Sequence, residues 1–354
     1  IPMHERTQRA VARLLFVFCC AVPTALTLGC VLVTWTPWYH RRALAAIERD
    51  LGREAGLIFK IEDFRQTAPR SVQLFGVRVL EPESRREVAR VREVQWARRN
   101  TEAVILLHQP ELQSGQLSGV WKLFHDRFLC QPQHTSVPTI ISATDLTIHS
   151  QMGSMTLRDC DAWIEAEPTS ARASIQCIPA ISNNDVPITI SVLRERGEEV
   201  PSTEWMVDTQ GTALPCSAFA EYLPELETLG SNARFQGTCR WKQQGPNWSV
   251  DLAGSRFESI SLDRLFEQHT HRLTGSATVQ LERCRIEPHQ RRSDIAGSLR
   301  AYDGQIGHSL LASAHHHLGF EVRLPESLSA PHQNVPYDHL AIGFNINNTQ
   351  LRLD

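Results

Sequence analysis

Residues 273–281 read LTGSATVQL, with apolar or small residues at Leu273, Gly275, Ala277, Val279 and Leu281 and polar ones between them. A period of two places one set of side chains on each face of an extended chain, so this stretch is a strand with one apolar face. The same alternation recurs on either side of it. Phe235, Gly237, Cys239 and Trp241 form one series; Ile295, Gly297, Leu299 and Ala301 form another; Leu340, Ile342, Phe344 and Ile346 a third. PITISVL from Pro187 is a further strand run, and at Val72, Leu74, Gly76, Val77 and Val79 the apolar set slips by one at the glycine, as at a bulge. Turn residues separate the runs, among them Gln244-Gly245-Pro246-Asn247 and Asp303-Gly304. An apolar residue, any residue, then glycine recurs at Gly237, Gly254, Gly275 and Gly297, which predicts a sheet that bends repeatedly in one sense. The expected fold is mainly β: a long antiparallel curved sheet with a few short helices.

Composition bounds what such a sheet can do. The chain has 354 residues, with 36 basic and 39 acidic side chains for a net charge of −3. That balance excludes a general nucleic-acid binder, which needs a basic face. A hydrophobic share of 42% excludes both a wholly disordered chain and a polytopic membrane protein. The nine cysteines are scattered without a CxxC, so neither a zinc-finger pattern nor a small disulfide scaffold is present.

The strongest single signal is N-terminal. Residues 14–39, LLFVFCCAVPTALTLGCVLVTWTPWY, carry no charge, and about 20 apolar residues suffice to cross a bilayer core. Trp35, Trp38 and Tyr39 crowd one end as interfacial rings do, followed by the basic pair Arg41 and Arg42. The run lacks the short core and small-residue exit of a cleaved signal peptide. The expected organisation is a cytoplasmic tail at 1–13, a transmembrane signal anchor at 14–39, a juxtamembrane helix at 40–56 with Gly52 as its stop signal, and an extracytoplasmic β-rich region at 57–354, either whole or truncated at its C-terminus. Helices are further predicted at residues 117–128, 217–229, 262–266 and 309–318, the last stopped by Gly319.

In order, the chain presents a spanning helix, a short helix ending in LG, the strand pair SVQLFGVRVLEPESRREVARVREVQWAR at 71–98, and then HQPELQSGQL from His108. This arrangement resembles the AsmA-like family of bacterial envelope proteins. Gly76-Val77-Arg78-Val79-Leu80-Glu81-Pro82 and Pro110-Glu111-Leu112 stand where that family has comparable motifs, with Glu81 in place of the more usual Asp. The resemblance implies a single-pass inner-membrane protein with its bulk in the periplasm. It also implies a β-groove that handles or transports lipid, or supports outer-membrane and envelope biogenesis, without catalysis and without a cofactor. The partners so implied are the inner membrane, lipid acyl chains and envelope proteins. The alternative is a membrane-tethered scaffold in which the same sheet closes on a packed core.

Alternation assigns Val279, Leu281, Ile295, Leu299, Ile342 and Phe344 to one face, the candidate lining of a lipid groove. Other residue groups are read more plainly. His315-His316-His317 lie about 100° apart on a helix and cannot converge on one ion. Cys160, between Asp159 and Asp161, is a packed residue rather than a nucleophile, because flanking carboxylates blunt a thiol. The six cysteines beyond the anchor allow fifteen disulfide connectivities in an oxidising compartment, among which the sequence does not choose; the default expectation is buried free thiols.

Overall fold

The computed structural model describes residues 11, 13–34, 36–99, 101–131, 137–150, 153–180, 185–197, 199–219, 224–267, 271–319, 321, 334–348 and 350–353. The chain divides into two compact units, residues 1–54 and 55–354.

In the first unit, a helix over Arg13–Leu32 is long and apolar enough to cross a membrane. Its residues from Val17 to Ala21 form a π-turn ahead of Pro23. Proline has no N–H to donate to Cys19 and its ring crowds that carbonyl, so the widened turn is the local response. Thr24 Oγ1 donates to the Cys20 carbonyl at 2.7 Å, a side-chain bond to the backbone one turn earlier. The second helix runs Pro37–Ala55. It starts earlier than expected because Thr36 Oγ1 accepts from the Tyr39 amide, and proline suits the first helical turn. It also passes through Gly52 and ends at Gly56, whose φ of +75° supplies the left-handed stop.

The second unit is one large curved open sheet. β1 (Ile58–Lys60) and β2 (Asp63–Ala68) both pair with β3 (Ser71–Leu80). From there β4 (Glu87–Arg98), β5 (Ala103–Gln113), β6 (Thr139–Ser150), β7 (Gly153–Ala166), β8 (Ser170–Pro179), β9 (Ile188–Glu195) and β10 (Ser202–Asp208) follow as neighbours. Three strands are then bent into two pieces. β10 continues as β11 (Leu214–Pro215), β12 (Arg234–Gln236) as β13 (Thr238–Gln244), and β14 (Asn247–Asp251) as β15 (Arg256–Ser261). β16 (Ser276–Glu287), β17 (Arg292–Ile306), β18 (Val335–Asn347) and β19 (Gln350–Leu353) complete the sheet.

The sheet departs from an all-antiparallel meander at one place. β5 and β6 are parallel, from Ala103↔Thr139 to Gln113↔His149. A parallel pair needs a crossover, and the helix Leu117–Phe124 with its π-turn His125–Leu129 supplies it. At Gly76 the backbone takes φ +58° and burial switches phase between Leu74 and Val77, yet Phe75↔Glu93 and Val77↔Val91 keep one register. The slip is therefore a kink, not the inserted residue a bulge would require. β16 begins at Ser276; Leu273 makes only an isolated bridge to Ile306. The segment expected as one helix at 217–229 holds two short 3₁₀ turns, Cys216–Phe219 and Pro224–Leu229, with 220–223 outside the described residues.

A crease crosses the bent strands. The Thr209 amide donates to the Gly237 carbonyl at 3.0 Å, and Thr209 Oγ1 accepts from the Gly237 amide at 2.8 Å. Ser255 Oγ donates to the Thr238 carbonyl at 2.9 Å, and the Leu281 amide to the Ser255 carbonyl at 2.8 Å. Leu281 then faces Gly297, which faces Phe344. A side chain at Gly237 would lie 2.7 Å from Ser255 Cα, so the glycine permits the close approach as well as its φ of +130°. Three of the four recurring glycines thus belong to one bend; Gly275 sits elsewhere, against Tyr302 and Gly304.

Candidate functional site

Residues that are direct register partners share a face, so the ladder assigns faces across the whole sheet. One row runs Val72, Trp96, Ile105, Ile141, Ala162, Ile175, Ile190, Val207, Cys239, from β3 to β13. Every member is apolar. The adjacent row, on the other face, is Gln73, Gln95, Leu106, Ser142, Asp161, Gln176, Thr189, Asp208 and Thr238, polar except at Leu106. The apolar row resumes past the crease as Cys284, Ile295, Ile346 and Leu351.

None of the nine residues from Val72 to Cys239 is buried, and Ile175 is 38% exposed. The positions two residues away on either flank behave differently. On one side Ala143, Cys177 and Ile188 are buried in a cluster with Met155, Leu157 and Leu214. On the other, Ala173 and Val192 are buried with Leu129, against Trp121, Phe124, Ile164 and Trp205. The crossover helix covers this second flank, its Trp121 ring edge-on to Trp205 at 3.8 Å between centroids. An accessible apolar strip therefore lies between two packed margins on the same face. Eight strand gaps of about 4.8 Å make it about 38 Å long, more than the ~30 Å thickness of a bilayer core.

The six residues assigned to a groove share one face. Val279, Leu299 and Ile342 are partners in one row, Leu281 and Phe344 flank Gly297 in the next, and Ile295 lies one step further. The Val279 row extends in the other direction through Phe257 and Phe235 to Leu214; alternation marks Phe235 as a strand residue but assigns none of the three to the groove. The six are not equally accessible. Val279 and Leu299 pack against Ala277, Ala301, Ile260 and Leu262, and Leu281 is 7% exposed. The strip from β3 to β13 was missed as a site because its nine residues come from nine different strands. Only their mutual register lines the residues up.

At the membrane segment, Trp38 and Tyr39 are exposed, and Arg42 lies over the Trp38 ring at 5.4 Å. Arg41 is exposed on the same helix, and Trp35 falls outside the described residues.

Of the six cysteines beyond the membrane segment, Cys160, Cys177, Cys216 and Cys284 are buried free thiols, and Cys130 and Cys239 are half-buried. Cys160 and Cys177 share a hydrogen bond, which with burial holds the Cys160 thiol well above its ordinary range. Burial pushes Cys216 up to about 11 and raises Cys239 and Cys284. Among the described residues one cluster of metal-capable groups went unanticipated: His125 and Asp126 on the π-turn of the crossover and Cys130 directly after it. His125 Nδ1 is 3.0 Å from Asp126 Oδ1 and 3.7 Å from Cys130 Sγ. The Arg196 guanidinium donates to the neighbouring Leu129 carbonyl at 2.7 Å, a cation that opposes a second one there.

Comparison with protein-family models, with curated proteins and with solved structures returns no match for this chain.

Proposed function

We propose that this is a membrane-anchored, non-catalytic lipid-handling protein of AsmA-like type, whose curved sheet holds acyl chains along the Val72–Cys239 strip outside the cytoplasm. The observation that carries the reading is the accessible apolar strip between buried margins. An exposed contiguous apolar surface of this kind marks an interaction site. Each methylene laid on it removes apolar area from water, worth about 0.8 kcal/mol. The apolar N-terminal helix supports a location where such lipid is at hand.

The test is lipid retention by the full chain, read by native mass spectrometry, beside thermal melts. Ile175→Asp with Ile190→Asp should abolish retention and leave folding largely intact, since both sites reach solvent. Leu281→Asp should instead unfold the sheet, because Leu281 is 7% exposed and a buried unpaired charge costs several kcal/mol. A delipidated wild-type protein that neither takes up nor transfers phospholipid would sink the proposal.

A second reading, a tethered scaffold, is favoured by one observation. Among the described residues the outer side of β19 has no strand beside it, and Leu351 there is 55% exposed. Such an edge can accept a partner strand. Cross-linking at Leu351 that captures only lipid would count against it.

A further inference from the structure

We infer that a pocket at the β3–β4 end of the strip binds the phosphate of an anionic phospholipid whose acyl chains occupy the strip; this rests on the lipid-holding reading above. The pocket has a volume of about 380 Å³ and is lined by Pro69, Arg70, Trp96, Arg98 and Arg99. Trp96 is itself the second member of the apolar row, so pocket and strip are continuous.

Register explains why the charge collects there. Arg70 and Arg98 stand two residues from Val72 and Trp96, on the same face. The Arg98 amide donates to the Arg70 carbonyl at 3.0 Å, which makes the two arginines direct neighbours across the β3–β4 pair. Like charges placed opposite each other in a sheet repel. Among the described residues neither has a carboxylate partner, while Arg99 has Glu102 at 3.7 Å. Three guanidinium groups against one carboxylate leave 3 − 1 = +2 at the mouth of an apolar strip. The next positions along that row, Ala103, Thr139 and Ile164, carry no charge, so the cationic site is confined to one end.

An anion that bridges Arg70 and Arg98 removes their repulsion. Guanidinium forks match phosphate oxygens two at a time. The amphipathic Trp96 ring suits the boundary between a polar head and an apolar tail. Head-group phosphate beside the arginines and chains along Ile105, Ile141 and Ala162 is the arrangement these residues fit.

The test uses the full chain in detergent, mixed with vesicles of equimolar phosphatidylglycerol and phosphatidylcholine, then separated and assayed for retained lipid. The wild type should retain phosphatidylglycerol preferentially. Arg70→Glu with Arg98→Glu should lower the glycerol-to-choline ratio about tenfold, a difference of ~1.4 kcal/mol, without lowering total lipid or the melting temperature. Arg70→Lys with Arg98→Lys should restore part of the preference. An unchanged ratio in the glutamate variant, or no preference in a wild type that does retain lipid, overturns the head-group inference alone. A wild type that retains no lipid overturns the strip reading as well. Displacement of phosphatidylglycerol by inorganic phosphate alone would make this a free-phosphate site and overturn the lipid assignment.

Discussion

Cys216 shows how far a single buried group can set the behaviour of the whole sheet. It is 3% exposed, and its amide donates to the Ala233 carbonyl at 2.9 Å. Burial disfavours the thiolate and raises the thiol from 9.0 to about 11. A group whose folded value is raised contributes stability that is complete below its unfolded value and is lost as pH rises through the folded one. The window is therefore pH 9 to about 11. Two units at ~1.36 kcal/mol each give a loss of at most about 3 kcal/mol. Urea unfolding at a series of pH values should show wild-type stability falling across this window. Cys216→Ala should be less stable at neutral pH but show a shallower decline. Equal slopes in the two proteins would refute the assignment. Cys239 and Cys284 shift in the same direction for the same first reason, burial, and so add to the alkaline loss.

At the scale of elements, the crossover between β5 and β6 does two things at once. It makes a parallel pair possible, and it lays Trp121, Phe124 and Leu129 over one flank of the apolar face. Its amphipathic run, LSGVWKLF, is what allows a helix to sit there. Trp121→Ala removes the ring packed on Trp205. For this half-buried residue the expected loss is about 2 kcal/mol, below the range for a fully buried aromatic. The midpoint of chemical unfolding should drop accordingly, and binding of an apolar dye to the folded protein should rise as Ala173 and Val192 become accessible. A variant with unchanged dye binding would show that the helix does not shield that flank.

For the molecule as a whole, the proposals require the sheet to lie outside the cytoplasm and the N-terminal helix to stay in the bilayer. Full-length protein should resist alkaline extraction from membranes. Protease added from the periplasmic side should digest the chain beyond residue 56, leaving a protected N-terminal fragment. Digestion only from the cytoplasmic side would reverse the topology and overturn the extracytoplasmic placement of the strip. The asymmetry of the sheet belongs to this scale too. One face carries the strip, and the other carries cross-strand polar pairs such as Ser142 Oγ donating to Asp161 at 2.6 Å. The same strands therefore present water on one side and an apolar surface on the other.

Local pattern determined a good deal of this protein. The charge-free run that makes an apolar helix, the strand character of β16, β17 and β18, the shared face of Val279, Leu299 and Ile342, and the helix stop at Gly319 are all short-range properties. Alternation, length and a left-handed glycine suffice to read them. What only the tertiary structure decided depends on which strand lies beside which. The parallel β5–β6 pair could not be read, because a crossover helix and a meander with one helical insertion have the same local pattern. Thr209 was not recognisable as part of the crease, since its partner Gly237 lies 28 residues away. The strip and the Arg70–Arg98 pair follow from register alone. Each residue is unremarkable in its own strand and acquires a neighbour of the same kind only when the ladder is formed, because sheet contacts are set by pairing between strands and not by position along the chain.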